Sequence, residues 1–238
     1  MLEDQIIKTE QQLKELKEKR DNVNVAHACF DIGNVLVQVN LETFTKELKK
    51  VIPSTHDPMF FLEYLQATQD IGLSTVQQAL RAQHDIFEAE KVQILLEAWN
   101  ATIEPNEMML RFLENLRSDG VKMALLSNIG MEHATHLRKT IPDLFSNMIE
   151  HLSYEVGARK PSKIYFQSFL LDHQNFKGAI YIDDREDNLK SGKKYSLKTY
   201  KFCLDEILLM SLGKQKAELD KLKGYILDKK NNSLYDDI

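Results

Sequence analysis

The spacing of apolar residues divides the chain into distinct regimes. From Leu2 to Arg20 they follow a seven-residue repeat, with Leu2, Thr9 and Leu16 on one track, Ile6, Leu13 and Arg20 on another, and Lys and Glu between. This is the stripe of a short coiled-coil-like helix that needs something to pack against. It either lies on the body of its own chain or acts as a dimerising arm or docking helix, the dimer being a homodimer. Asp21 and Asn22 end it. From Val25 the residues are mostly apolar and then stop abruptly at Asp31, Gly33 and Asn34, the pattern of a buried parallel strand that ends in an acid.

Residues 41–104 carry helical periodicity and no convincing strand. Leu41, Phe44, Leu48 and Ile52 share one face, and Pro53 and Pro58 bracket a loop. Phe61, Leu62, Leu65 and Ile71 mark a second helix, and Ser74 reads as the N-cap of a third through Val76, Leu80 and Ala82. A fourth runs from Glu88 to Ile103 with Ile94, Leu95, Ala98 and Trp99. Four helices are too many for a simple crossover, so the segment reads as a separate cap. Its aromatics, Phe44, Phe60, Phe61, Tyr64, Phe87 and Trp99, are expected mostly in its core.

After Pro105, helices and short apolar runs alternate as in βαβ units. Strands are expected at Val121–Leu126, Met148–Leu152, Ala179–Ile182 and Leu197–Cys203. The first stops at Ser127-Asn128 and the third at Asp183-Asp184. A last amphipathic helix spans Lys214–Asp228. The fold class is therefore α/β, a Rossmann-like three-layer core around a parallel sheet, with an inserted all-helical cap and terminal helices. The expected boundaries are 1–22 for the N-terminal helix, 23–40 and 105–206 for the core, 41–104 for the cap, and 207–238 for the C-terminal helix and tail.

Composition narrows the partners. The 238 residues carry a net charge of −5, which argues against nucleic-acid binding. No apolar run reaches membrane-spanning length, and the first residues are too charged for a signal peptide. Cys29 and Cys203 lie in apolar runs and read as packing residues. The expected setting is cytoplasmic.

Parallel strands bring their C-terminal ends to one edge of the sheet, where α/β proteins bind ligands. That edge collects Asp31, Ser127, Asn128, Asp183 and Asp184, with Lys160 supplied by a loop. Carboxylates gathered there repel unless a cation joins them, and oxygen ligands favour Mg²⁺. Metal, anion cradle and a free carboxylate describe phosphoryl transfer through an aspartyl-phosphate. His133 and His136, three apart on one helix, lack a third ligand and read as a solvated face, as do Arg185 and Lys193.

Four motifs, Phe30-Asp31-Ile32-Gly33-Asn34-Val35-Leu36, Leu126-Ser127-Asn128, Lys160-Pro161, and Ile182-Asp183-Asp184 followed by Asn188, resemble those of the haloacid dehalogenase (HAD) superfamily. The resemblance covers residues 25–206. It is nearest in flavour to glucose-1-phosphate phosphatase-like enzymes with a helical cap and to the phosphatase domain of soluble epoxide hydrolase. It implies that Asp31 is the nucleophile and a metal ligand, with the Gly33 backbone carbonyl and Asp184 completing the protein ligands to Mg²⁺. Asp183 and Asn188 would orient them. Ser127 and the Asn128 N–H would hold phosphoryl oxygens, and Lys160 would offset charge on Asp31 and the phosphoryl group.

One position departs from the family. Gly33 stands where most HAD phosphatases carry a second Asp that protonates the leaving group. Either the chain is a phosphatase of a small phosphorylated metabolite, such as a sugar phosphate, with the proton handled by water, a cap residue or the substrate, or it is a catalytically weak scaffold that binds partners through its terminal helices. Ser162-Lys163 and Gln38-Val39-Asn40, where relatives often have acids, favour the scaffold. The phosphatase reading predicts a preference for leaving groups that need little protonation. True dehalogenation needs no metal, and the retained Asp183-Asp184 pair argues against it.

Overall fold

The computed structural model describes residues 25–52, 57–84 and 88–228. The expected N-terminal helix, the Pro53 end of the first cap loop and Phe87 lie outside these residues. The chain forms β1 (His27–Phe30), β2 (Val37–Val39), α1 (Glu42–Val51), α2 (Pro58–Gln69), α3 (Val76–His84), α4 (Ala89–Asn100), β3 (Ile103–Pro105), α5 (Glu107–Ser118) and β4 (Lys122–Ser127). There follow α6 (Met131–Thr140), α7 (Pro142–Phe145), β5 (Met148–Leu152), α8 (Ser153–Val156), α9 (Lys163–Asp172), a 3₁₀ turn at Gln174–Phe176 and β6 (Ile180–Asp183). The last elements are α10 (Glu186–Lys194), β7 (Lys198–Lys201), α11 (Leu204–Leu208) and α12 (Leu212–Leu227).

Five parallel strands form one sheet in the order β5-β4-β1-β6-β7, so β1 lies at its centre. Pleating sends alternate β1 residues to opposite faces. Ala28 and Phe30 join one apolar layer with α5, α6 and α12, while Cys29 joins the other with Tyr165, Phe166 and Phe169 of α9. This is the expected α/β architecture, a sheet covered by helices on both faces.

α12 packs on the first of these layers. Leu222 and Ile226 are buried in it, and Lys223 pairs with Asp119 at 2.7 Å. None of the helices among the described residues is long and apolar enough to cross a membrane.

The helices α1–α4 bury their own apolar cluster, including Phe44, Leu48, Phe61, Leu65, Leu80, Leu95 and Trp99. The sequence reading of helices without a strand over 41–104 is corrected at its C-terminal end. Ile103–Pro105 is a strand that pairs antiparallel with Val37–Val39, so a two-stranded ribbon joins the helices to the core. Phe60, one of the aromatics expected mostly in the core, is exposed, as is Ile94 of the fourth helix. The N-cap of α3 is Thr75, not Ser74. Its Oγ1 accepts from the Gln78 N–H at 3.1 Å while the Gln78 side chain accepts from the Thr75 N–H at 2.9 Å, a reciprocal capping box. Ser74 instead donates its hydroxyl to Thr68.

The helices dock on the core through the end of α2. At Gly72, φ is +72°, and a Cβ there would lie 2.5 Å from the Tyr154 carbonyl oxygen. Gly120 has a similar φ of +79° in open space. Gly72→Ala should therefore lower the unfolding free energy by about 1–3 kcal/mol, more than Gly120→Ala, because only the first adds a backbone collision to the left-handed strain. Urea titration of both variants measures the difference, and equal losses would mean that the docking contact is slack.

Candidate active site

β1, β4 and β6 run parallel and stop on the same edge of the sheet, and polar residues cluster where each strand ends. Asp31 follows β1, its N–H bonded to the Ile182 carbonyl at 2.9 Å and its Oδ1 accepting from the Ile32 N–H at 2.7 Å. Asp183 ends β6 and is fully buried. Asp31, Asp183 and Asp184 each offer a carboxylate oxygen, and these lie within 4.8 Å of one another.

Lys160 arrives between them from the loop before α9. Its Nζ lies 3.0 Å from Asp31 Oδ1, 2.7 Å from Asp183 Oδ2 and 2.7 Å from the Leu126 carbonyl oxygen. An ammonium has three hydrogens, and each finds an acceptor here. The side chain is wholly buried, so it is a structural cation of the site and no solvated lysine. The Asn128 side chain fixes the loop that delivers it. Its Nδ2 donates to the Lys160 carbonyl at 2.9 Å and its Oδ1 accepts from the Lys160 N–H at 2.7 Å. This use of the Asn128 amide adds to the backbone role expected of that residue.

The two carboxylates that share Lys160 titrate in opposite directions. Burial pushes Asp31 up to about 7, opposed by Lys160 and reinforced by Asp183. Burial also pushes Asp183 upward, yet Lys160, the Tyr181 hydroxyl and the Arg185 N–H outweigh it and hold the group below the usual carboxylate range. Asn188 adds two bonds from its Nδ2, at 3.0 and 3.2 Å. Asp183 is thus saturated with donors, whereas Asp31 and the half-buried Asp184 retain free oxygens. Burial, then Asp183, raises Asp184.

Three close carboxylates and one buried cation leave an excess of negative charge. All-oxygen donors of this kind fit a hard divalent cation. The buried Asn188 Oδ1, without a hydrogen-bond partner, is a further acceptor beside them.

Ser127 is buried at the end of β4, and Gly33 lies in the turn after Asp31. Each residue singled out by the four motifs therefore falls at this edge. Several contributors were not singled out from sequence. Tyr181, two residues before Asp183 and so on the same face of the pleat, donates its hydroxyl to that carboxylate. Tyr165 donates to the His151 and Ser127 carbonyls. From the helices, Gln66, Gln69 and Asp70 line the space above Ser127 and Asn128.

His133 is corrected. It is buried, stacked on Trp99 at 4.4 Å, with Nε2 2.8 Å from the Trp99 carbonyl oxygen, and burial pulls it down to about 4. It joins the helices to the core and does not lie on a solvated face. Arg185, by contrast, is exposed and pairs with Asp187 at 2.9 Å.

No family model matches the chain, and a search of curated proteins finds no match. Solved structures do match. A HAD family enzyme from Bacteroides thetaiotaomicron, in complex with magnesium and inorganic phosphate, superposes with a TM-score of 0.64 at 24% identity, over 74% of this chain and 93% of the other. A predicted HAD-like family hydrolase from Porphyromonas gingivalis gives 0.61 at 17% identity, over 79% and 100%. An L-2-haloacid dehalogenase gives 0.52 at 16% identity, over 75% and 85%. With its central β1, its parallel sheet and its helices inserted after the first strand, the chain has the fold of the HAD family hydrolases.

Proposed function

We propose that the chain is an Mg²⁺-dependent phosphoric monoester hydrolase acting on a small phosphorylated metabolite, with sugar phosphates as first candidates, through an aspartyl-phosphate on Asp31. The observation that carries this reading is the buried Lys160 ammonium held between Asp31 and Asp183, with Asp184 alongside. A simple anion-binding pocket does not need three carboxylates. A nucleophile beside a cation site does.

Asp31, Asp184 and the Gly33 carbonyl would hold the metal, which when bound supplies positive charge against the phosphoryl oxygens and keeps Asp31 ionised. Asp31 attacks phosphorus from the edge of the sheet. Ser127 and the Asn128 N–H bind the phosphoryl oxygens, and Lys160 offsets the charge passing between carboxylate and phosphoryl group. Asp183 and Asn188 keep Lys160 and the neighbouring carboxylates in place. The magnesium and phosphate complex of the Bacteroides neighbour supports the choice of metal and substrate group. The carboxylate cluster favours this chemistry over dehalogenation, which needs no metal.

Purified protein should hydrolyse members of a phosphomonoester panel with Mg²⁺ and lose that turnover in excess EDTA, recovering it when Mg²⁺ is restored. Turnover unaffected by the chelator would overturn the metal assignment. Absence of turnover across the panel would favour the scaffold reading.

A further inference from the structure

The turn after Asp31 carries no proton donor. A Cβ at Gly33 would already lie 3.2 Å from Val39 Cγ2, so β2 crowds the place where an acidic side chain would start. Another acid reaches the same space from the opposite side. A cavity of about 110 Å³ between the helices and the strand ends is lined by Gly33, Ser127 and Asn128 of the core and by Gln66, Gln69 and Asp70 of the α2 segment.

Two titratable side chains line this cavity. His133 is committed to the Trp99 carbonyl and to Thr102 Oγ1, 3.1 Å from its Nε2. Asp70 is the other, and it is the carboxylic acid. Its position is fixed by the fold. It caps α2 through an N–H bond to the Gln66 carbonyl at 3.0 Å, and the following turn is seated on Tyr154 through Gly72. The carboxyl is largely buried and lies 3.6 Å from the guanidinium of Arg159, the residue before Lys160. Beside it, the Gln69 Oε1 is buried without a hydrogen-bond partner.

We propose that Asp70 is the general acid and base of the reaction, reaching the leaving group from the helical side because position 33 cannot. This rests on the phosphatase reading above. As Asp31 Oδ bonds to phosphorus and the ester P–O bond breaks, the Asp70 carboxyl gives its proton to the departing oxygen, releasing the alcohol. The Asp70 carboxylate then takes a proton from water as the water oxygen bonds to phosphorus and the Asp31 O–P bond breaks. Phosphate leaves and both side chains return to their starting states. Burial, opposed by Arg159 and Lys160, pushes Asp70 up to about 6, so the group exchanges protons near neutral pH.

The test compares Asp70→Asn and Asp70→Glu with the parent, with Mg²⁺, on 4-nitrophenyl phosphate and on butyl phosphate. Nitrophenolate leaves without a proton and butoxide does not. Asp70→Asn should lower kcat for the butyl ester by about 10²–10⁴ and for the nitrophenyl ester by less than about tenfold. Asp70→Glu should recover part of the butyl ester rate. Calorimetry with Mg²⁺ and inorganic phosphate should show unchanged phosphate affinity in Asp70→Asn. The aryl preference expected from Gly33 would then belong to the variant and not to the parent. Equal losses on both esters, or weakened phosphate binding, would mean that Asp70 only holds the helices in place and would overturn the proposal. A parent active on both esters with an unimpaired Asp70→Asn overturns it alone, whereas a parent inactive on both overturns the phosphatase reading with it.

Discussion

Lys160→Met should abolish turnover and lower the unfolding free energy by about 3–5 kcal/mol, the usual cost of removing one partner from a buried ionic group. Methionine fills much of the same volume, so the loss is electrostatic more than steric. Without the ammonium, the Asp31 and Asp183 carboxylates, with oxygens within 4.8 Å of one another, lose the cation between them, and the Leu126 carbonyl loses its donor. A proton on one carboxylate relieves the repulsion but removes the nucleophile or its support. Urea unfolding at neutral pH measures the stability, and an ester assay with Mg²⁺ measures the turnover. A variant as stable as the parent would mean that Lys160 is less enclosed than its surroundings show.

Asp31→Asn separates the two losses. Its kcat should fall by on the order of 10⁴ or more, the scale seen when a covalent nucleophile is removed, while the fold persists. The amide keeps an oxygen for the Ile32 N–H, and Lys160 retains Asp183 and Leu126. The pH dependence of stability without metal should change as well. In the parent, burial raises the Asp31 pKa from 3.8 to about 7. Between these values the native chain holds a proton that the unfolded chain has released. The Asp31 contribution to stability therefore declines as pH rises from about 4 to about 7. In Asp31→Asn that contribution is absent, and its stability should decline less across the same window. Urea midpoints in EDTA at several pH values provide the comparison. Parallel slopes would show that Asp31 is not the group that retains the proton, and undiminished turnover would remove it as nucleophile.

The parts of the site legible in sequence are those that abrupt strand ends reveal. An apolar run that halts at Asp31, at Ser127 or at Asp183 signals both a buried strand and the sheet edge where its last polar residue lies. Lys160 became meaningful only together with those three, because a lysine before a proline has no period or cap to mark it. The β2–β3 ribbon was hidden by its length. Three residues on each side, flanked by helical periodicity, carry too little alternation to separate a strand from a helix end. Thr75 and Ser74 are both good caps, and the Gln78 partner three residues after Thr75 was the signal that distinguishes them. His133 looked solvated because helical spacing shows which residues share a face but not that Trp99 comes to cover it. Asp70 left no trace, since its part depends on where a whole helix end is seated.

Chain passes from the sheet to α1 by way of β2 and returns by way of β3, and those strands pair with each other. Any swing of the helices away from the strand ends therefore turns about one narrow hinge, with Asp31 on the stationary side and Asp70 on the travelling side. Opening would pull the Asp70 carboxyl away from Arg159 and part the Val76 N–H from Glu132, now 2.8 Å apart. If Asp70 carries the proton as proposed, water admitted during that interval would meet a pocket without its proton carrier. Timing, and not exclusion alone, would then guard the aspartyl-phosphate proposed on Asp31.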